Sequence, residues 1–191
     1  MIKKLVNVIG KGGNLLLNVG PTPEGTIPEL SAERLREVGE WTRRNSDAIY
    51  GTEGSPFPAE LEFGAVTTRP GRVYVHVHND KWPADSLVMH GIRGEVSRIY
   101  CLADPEKNEL AFRQSVDEGL DLHVLKVELP TEPADEHVTV IALEMAGEPD
   151  FDRTLTQLDG GRLQLDVPQA SVTLVREEDE SAGVPALRQA E

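Results

Sequence analysis

Two histidines, His76 and His78 in the run Arg72-Val-Tyr-Val-His-Val-His78, are the first residues whose type and spacing suggest chemistry. On a strand, positions i and i+2 share a face, and two imidazoles on one face can chelate zinc. His90 lies on a neighbouring candidate strand, but no third ligand stands at a recognisable spacing. Histidines on a half-exposed sheet face are the preferred reading, and no metal or cofactor is assigned. Asp104, Glu106, Glu109, Asp117 and Glu118 could supply two carboxyl groups for acid–base work. They fall in or near expected turns, where solvated acids are common, so no catalytic residue is assigned among them. Lys11-Gly12-Gly13 after Gly10 imitates a phosphate loop, yet no glycine stands five residues before Gly10 and Lys11 is not followed by Ser or Thr. A Gly-x-Ser-x-Gly nucleophile elbow is absent. Cys101 alternates with Ile99 and reads as core. Tyr74 and Trp82 could stack on a sugar ring, although Trp82-Pro83 reads better as a packed loop anchor. Asn18 closes an apolar run and could line a binding pocket; the competing reading is an amide that ties off loop backbone.

The elements that must position these groups change character along the chain. Ile2, Leu5, Val6 and Ile9 are spaced by three and four, as on one face of a helix end, and Gly10, Gly12 and Gly13 stop it. So short a helix needs a packing neighbour, one expected to lie outside this chain. Asn14 to Val19 is a continuous apolar run, which predicts a strand buried on both faces, as in a parallel sheet. Turn residues follow in Gly20-Pro21 and Pro23-Glu24-Gly25. The spacing then predicts a helix from Ala32 to Arg44, with Ala32, Leu35, Val38, Gly39 and Thr42 on the buried stripe and Trp41 at its edge. Gly39 on that face would admit a close neighbour. Helix end, strand, helix is one closing unit of a repeated strand-helix fold and cannot close a domain by itself.

Gly51 to Pro58 is rich in turn residues and reads as a linker. Beyond it the pattern turns to alternation. Strands are expected at 63–68, 72–78, 86–90, 96–102, 109–114, 120–129, 137–144, 153–158, 162–167 and 171–176, with turn residues between them. Many short strands at regular spacing predict an antiparallel β-sandwich. The expected fold class is therefore mainly β: a C-terminal antiparallel β-sandwich (59–176), preceded by a linker (51–58) and by one closing strand-helix unit (1–50), which the resemblance given below implies is the last strand-helix unit of a truncated (β/α) barrel. A polar tail, 177–191, is expected to be disordered.

Composition excludes several classes of partner. The chain has 191 residues and a formal net charge of −14. That balance disfavours nucleic acid and anionic membrane surfaces, which need basic patches. No apolar run approaches the ~20 residues of a membrane span. One cysteine permits no intrachain disulfide. Lys3-Lys4 followed by Leu5–Ile9 imitates a signal peptide, but the apolar core is shorter than the roughly 7–15 residues of such segments. Localisation is not read from the sequence.

KGGNLLLNVGPTPEGTIP, then ERLREVGEW, then AIYGT, stand in the order found at the end of the catalytic barrel of the α-L-fucosidases of glycoside hydrolase family 29, which this chain resembles. Lys11, Gly12, Gly13, Asn14, Leu16, Leu17, Asn18, Gly20, Pro21, Gly25 and Ile27 carry the resemblance, as do Arg34, Leu35, Gly39, Trp41, Ala48, Ile49 and Tyr50. Arg72, Tyr74, His76, Trp82-Pro83 and Leu102-Ala-Asp104 are similar, more loosely, to the family's C-terminal β-sandwich. The resemblance implies a retaining exo-glycosidase that acts on terminal α-L-fucosyl groups of glycans through two carboxyl groups, without a cofactor. It also implies that the nucleophile and the acid/base lie in barrel segments this chain does not contain, so the chain alone is expected to be inactive. The missing barrel is then its structural partner. A free-standing sandwich that binds carbohydrate or another partner is the alternative. Burial separates the two: the first leaves Leu15–Leu17 and the Leu35/Val38 stripe uncovered, the second packs them on the sandwich.

Overall fold

The computed structural model describes residues 1–57, 61–117, 122–151, 156–158 and 162–164. It divides into two units, Met1–Arg153 and Thr154–Glu191. The first opens with two helices, α1 (Ile2–Gly10) and α2 (Glu29–Arg44). Seven strands follow: β1 (Gly64–Arg69), β2 (Arg72–His78), β3 (Ser86–His90), β4 (Val96–Cys101), β5 (Phe112–Asp117), β6 (Leu122–Glu128) and β7 (Val138–Met145). In the second unit a short antiparallel hairpin is described, β8 (Thr156–Leu158) with β9 (Arg162–Gln164). The strand expected at 171–176 and the tail at 177–191 lie outside the described residues.

Seven antiparallel strands form two sheets, one in the order β1-β2-β7-β4 and the other β3-β6-β5. Alternation explains how they pack. Val73, Val75 and Val77 of β2 and Ile141 and Leu143 of β7 meet Leu87, Met89, Leu125 and Val127 of the second sheet in one core. Phe57 and Phe151 join its edge, their rings 5.4 Å apart and nearly perpendicular.

The opposite face of the first sheet is also covered. Tyr74, Tyr100, Val138, Val140 and Ala142 pack with Ile2 and Val6 of α1, with Trp41 of α2, and with Ala48 in the single 3-10 turn Ser46–Ala48. The neighbour that α1 needs is thus within the chain, which corrects the expectation that it lay outside. Gly10 permits the approach: a Cβ there would stand 2.7 Å from that of Ala65 on β1. Gly39 plays no such role, since a Cβ there would meet only the end of the Arg43 side chain at 3.9 Å.

A further correction concerns residues 14–19. They form no strand, and Leu16 and Leu17 are 85% and 46% exposed. An apolar run becomes a strand only when a second backbone pairs with it, and none of the described strands lies beside this one.

Candidate functional site

The residues 11–28 leave α1 and return to α2, and they carry Asn18. Gly12 and Gly13 donate to the carbonyls of Ile9 and Val8 (both 2.9 Å), which ends the helix. A tight turn stands further on: the Thr22 amide donates to the Thr26 carbonyl (2.7 Å), the Gly25 amide donates to Thr22 (2.9 Å), and Gly25 takes the left-handed φ of 81° that glycine tolerates. Asn18 is exposed between these two tied points.

The C-terminal end of α2 fixes this connection to the sandwich. The Trp41 indole N–H donates to the Val138 carbonyl (2.8 Å) while the ring is buried. Arg44 pairs with Oδ1 of Asp135 at 2.6 Å, and the Asn45 amide donates to Oδ2 of the same carboxylate (3.3 Å). Asn79 donates to the Asp135 carbonyl, the Thr139 hydroxyl donates to Asn79 (3.2 Å), and the Asp135 amide donates to Thr139 (3.2 Å). Helix α2 is therefore held through a buried polar network as well as by packing. No local signal marks this role for Asp135 or Asn45, because the partners of Asp135 on α2 and just past it are ninety or so residues away.

The histidines do not form a site. His76 is fully buried beneath the helices, not half exposed. Its Nε2–H faces the Thr67 hydroxyl (2.9 Å), and that hydroxyl donates to the Ala48 carbonyl (2.8 Å), so the imidazole is neutral with its proton on Nε2. Burial, and secondarily the charge of His78, push its pKa down to about 3. His76 and His78 lie on the first sheet and His90 on the second. Among the described residues no group of three or more His, Cys, Asp or Glu could hold a metal ion.

The remaining candidates are structural. Tyr74 is fully buried and cannot stack on a ligand. Trp82 packs on the main core and donates its indole N–H to the Pro130 carbonyl (3.1 Å), as a loop anchor does. Asp104 accepts from the amides of Glu106 (3.0 Å) and Asn108 (2.9 Å), which keeps its carboxyl below the usual range and spends its oxygens on its own turn. Cys101 is buried, with its thiol pushed up to about 11 mainly by burial, and is inert. The Tyr100 hydroxyl donates to Glu144 (3.2 Å), which also pairs with Arg72 (3.3 Å), while Arg98 and Lys107 lie over the Tyr100 ring at 5.0 and 5.3 Å. A cavity of about 970 Å³ lies between the end of α1 and β1, lined by Asn7, Ser55, Phe57, Thr68 and His78 among others.

Known proteins match this arrangement. Residues 1–47 match the family model described as alpha-L-fucosidase. Plasma alpha-L-fucosidase of Rattus norvegicus is 37% identical over 93 residues, covering 48% of this chain and 20% of the relative. An alpha-L-fucosidase of Dictyostelium discoideum is 41% identical over 81 residues, covering 40% of this chain and 17% of the relative. Among solved structures, the alpha-L-fucosidase from Vibrio sp. strain EJY3 superposes with a TM-score of 0.71 at 27% identity, covering 85% of this chain and 28% of that one. Isoenzyme 1 from Paenibacillus thiaminolyticus gives 0.62 at 32%, covering 76% and 34%. Sequence and fold together place the chain with the glycoside hydrolases. Within them, it corresponds to a C-terminal fragment of the α-L-fucosidases of family 29, and it spans about a fifth of the length of the curated relatives.

Proposed function

We propose that this chain serves an α-L-fucosidase that removes terminal α-L-fucosyl groups from glycans with retention, as its closing part and not as its chemical centre. The observation that carries this reading is the match of residues 1–47 to the family, continued by a sandwich that superposes on the Vibrio fucosidase over 85% of the chain. Retention needs a nucleophilic carboxylate and an acid/base carboxyl group about 5–5.5 Å apart across the scissile bond. Both belong to the part of the enzyme outside this chain, and no metal or cofactor enters. In the whole enzyme residues 1–50 would supply the last strand-helix unit of a (β/α) barrel, and the two sheets of the first unit the sandwich behind it. The missing barrel is the structural partner, and a fucosylated glycan is the substrate of the whole. Asn18 would stand at the C-terminal end of residues 14–19 once that run pairs in the complete barrel, and there it lines the sugar pocket, because barrel enzymes build their sites on that face.

Hydrolysis of an aryl α-L-fucoside tests the reading. The pure 191-residue chain is expected to give none, and the chain joined to a family barrel is expected to turn over. Hydrolysis by the isolated chain would overturn the assignment of the carboxyl groups. A second reading, a self-sufficient binding module, has one observation in its favour: Val38 and Trp41 of α2 pack on the sandwich. Leu16 and Leu17, which that reading needs to be covered, are exposed. Glycan binding by the chain, unchanged when Leu16 and Leu17 are made polar, would favour it.

A further inference from the structure

We propose that the cavity at the free edge of β1 is a binding site for one or two neutral sugar units. It uses none of the groups assigned to the glycosidase chemistry, so it stands or falls separately from the reading above. The way the chain meets β1 makes the cavity. Glu53 and Thr68 bond through both of their backbone groups (2.9 and 3.1 Å), after which the backbone leaves the strand edge. It is back at Leu61, whose carbonyl accepts from the Gly64 amide (3.2 Å). The end of α1 closes the other side, where the Ser55 amide donates to the Gly10 carbonyl (2.6 Å). The walls thus come both from residues 1–47, which match the family model, and from the sandwich, and small-molecule sites favour such junctions. At about 970 Å³ the space has room for a mono- or disaccharide.

The chemistry of the wall selects the ligand. His78 lines it with Nε2 buried and without a partner among the described residues, and a buried nitrogen of that kind calls for a hydrogen bond from outside the chain. Burial, and after it the charge of Lys3, lowers the His78 pKa. The ring is therefore neutral, and Nε2 donates or accepts according to its tautomer. A hydroxyl group answers either state. Asn7, Glu53 and Glu62 are exposed along the same cavity, and their side chains bond to no described residue. Two carboxylates disfavour a phosphate or sulfate ester. Lys11 in the same wall disfavours a simple cation, and among the described residues no group could hold a metal. Phe57 and Leu61 add an apolar patch suited to the C–H face of a sugar ring.

The test titrates the isotope-labelled 191-residue chain with L-fucose, D-galactose and N-acetyl-D-glucosamine and follows its amide resonances. At least one sugar should saturate with a Kd in the millimolar range and shift Gly64, Ala65 and His78. Asn7→Trp, which fills the cavity from an exposed helix position, should abolish those shifts. His78→Phe keeps a ring but removes the nitrogen and should weaken binding by about tenfold. Arg113→Ala, exposed on β5, should change nothing. Near-ultraviolet dichroism of Trp41 reports that each variant has folded. No saturation by any of the three sugars, saturation that survives Asn7→Trp, or equal shifts with sorbitol would overturn the proposal. The same titration on the chain joined to a family barrel should keep the shift at Ala65; its loss would show that the barrel fills the cavity, and would also overturn it. Fucoside hydrolysis by the joined chain is a separate readout, so failure of the enzymatic reading leaves the sugar site standing.

Discussion

Residues 14–19 and strand β7 are both apolar strings, and the molecule treats them in opposite ways. β7 pairs with β2 along one edge and β4 along the other. One of its faces carries Ile141 and Leu143 into the space between the sheets, and the other carries Val138, Val140 and Ala142 beneath the helices. Leu16 and Leu17 meet solvent. The two runs differ in neighbours more than in hydrophobicity. Backbone groups that cannot find a second backbone keep their water, and the side chains stay outside with them. The helices show the same point from the other direction: α1 is too short to stand alone, and the outer face of the first sheet supplies what it lacks.

If that contrast is right, substitutions under the helices should be costly and substitutions in residues 14–19 nearly free. Trp41→Ala removes a buried ring together with its bond to the Val138 carbonyl and should cost about 3–5 kcal/mol in a urea titration. A loss below about 1 kcal/mol would mean that α2 is not part of the cooperative unit. Acid should act next. The unfolded chain protonates His76 near its ordinary 6.5, whereas the folded chain resists until about 3. Its contribution to stability is complete above the unfolded value and drains away as the pH falls from about 6.5 toward about 3, by at most about 1.4 kcal/mol per pH unit. His76→Gln should flatten that part of the stability–pH curve, and an unchanged slope would remove His76 as its source. Asp135→Ala frees Arg44 and Asn45 from their shared carboxylate. Because Arg44 is half exposed and can rehydrate, the expected cost is about 1–3 kcal/mol, below that of a fully buried pair. Leu16→Ser should fall within about 0.5 kcal/mol of the parent in the isolated chain, and a larger loss would show that the run has a partner inside the molecule.

Much of the sandwich was legible because alternation is a local signal. The expected strands at 72–78 and 86–90 coincide with β2 and β3, and the others described in the first unit are displaced by one to three residues at their ends. What alternation could not show is that a second layer covers the face bearing Tyr74 and His76. A buried tyrosine and a neutral buried histidine are written with the same letters as exposed ones, and only the arrival of α1 and α2 from the far end of the sequence separates the two cases. For the same reason nothing local marks Asp135, since its partners Arg44 and Asn45 lie outside any local window. Leu15–Leu17 erred the other way. The pattern describes what the run needs, and the described structure supplies no partner for it. Chemistry was legible only through the family resemblance, for which the composition of this chain offered no substitute.

The place of β7 sets the order in which the molecule can form. It lies at the middle of its sheet, yet it begins at Val138, sixty residues after β2 ends at His78. On a ribosome that adds about 5–20 residues per second, β1 and β2 must wait on the order of several seconds for the strand that joins them to β4. During that interval α1 and α2 have no complete sheet beneath them. A nascent chain stalled before Val138 should therefore leave Trp41 in water, and one stalled well beyond Phe151, once that residue has cleared the exit tunnel, should have buried it.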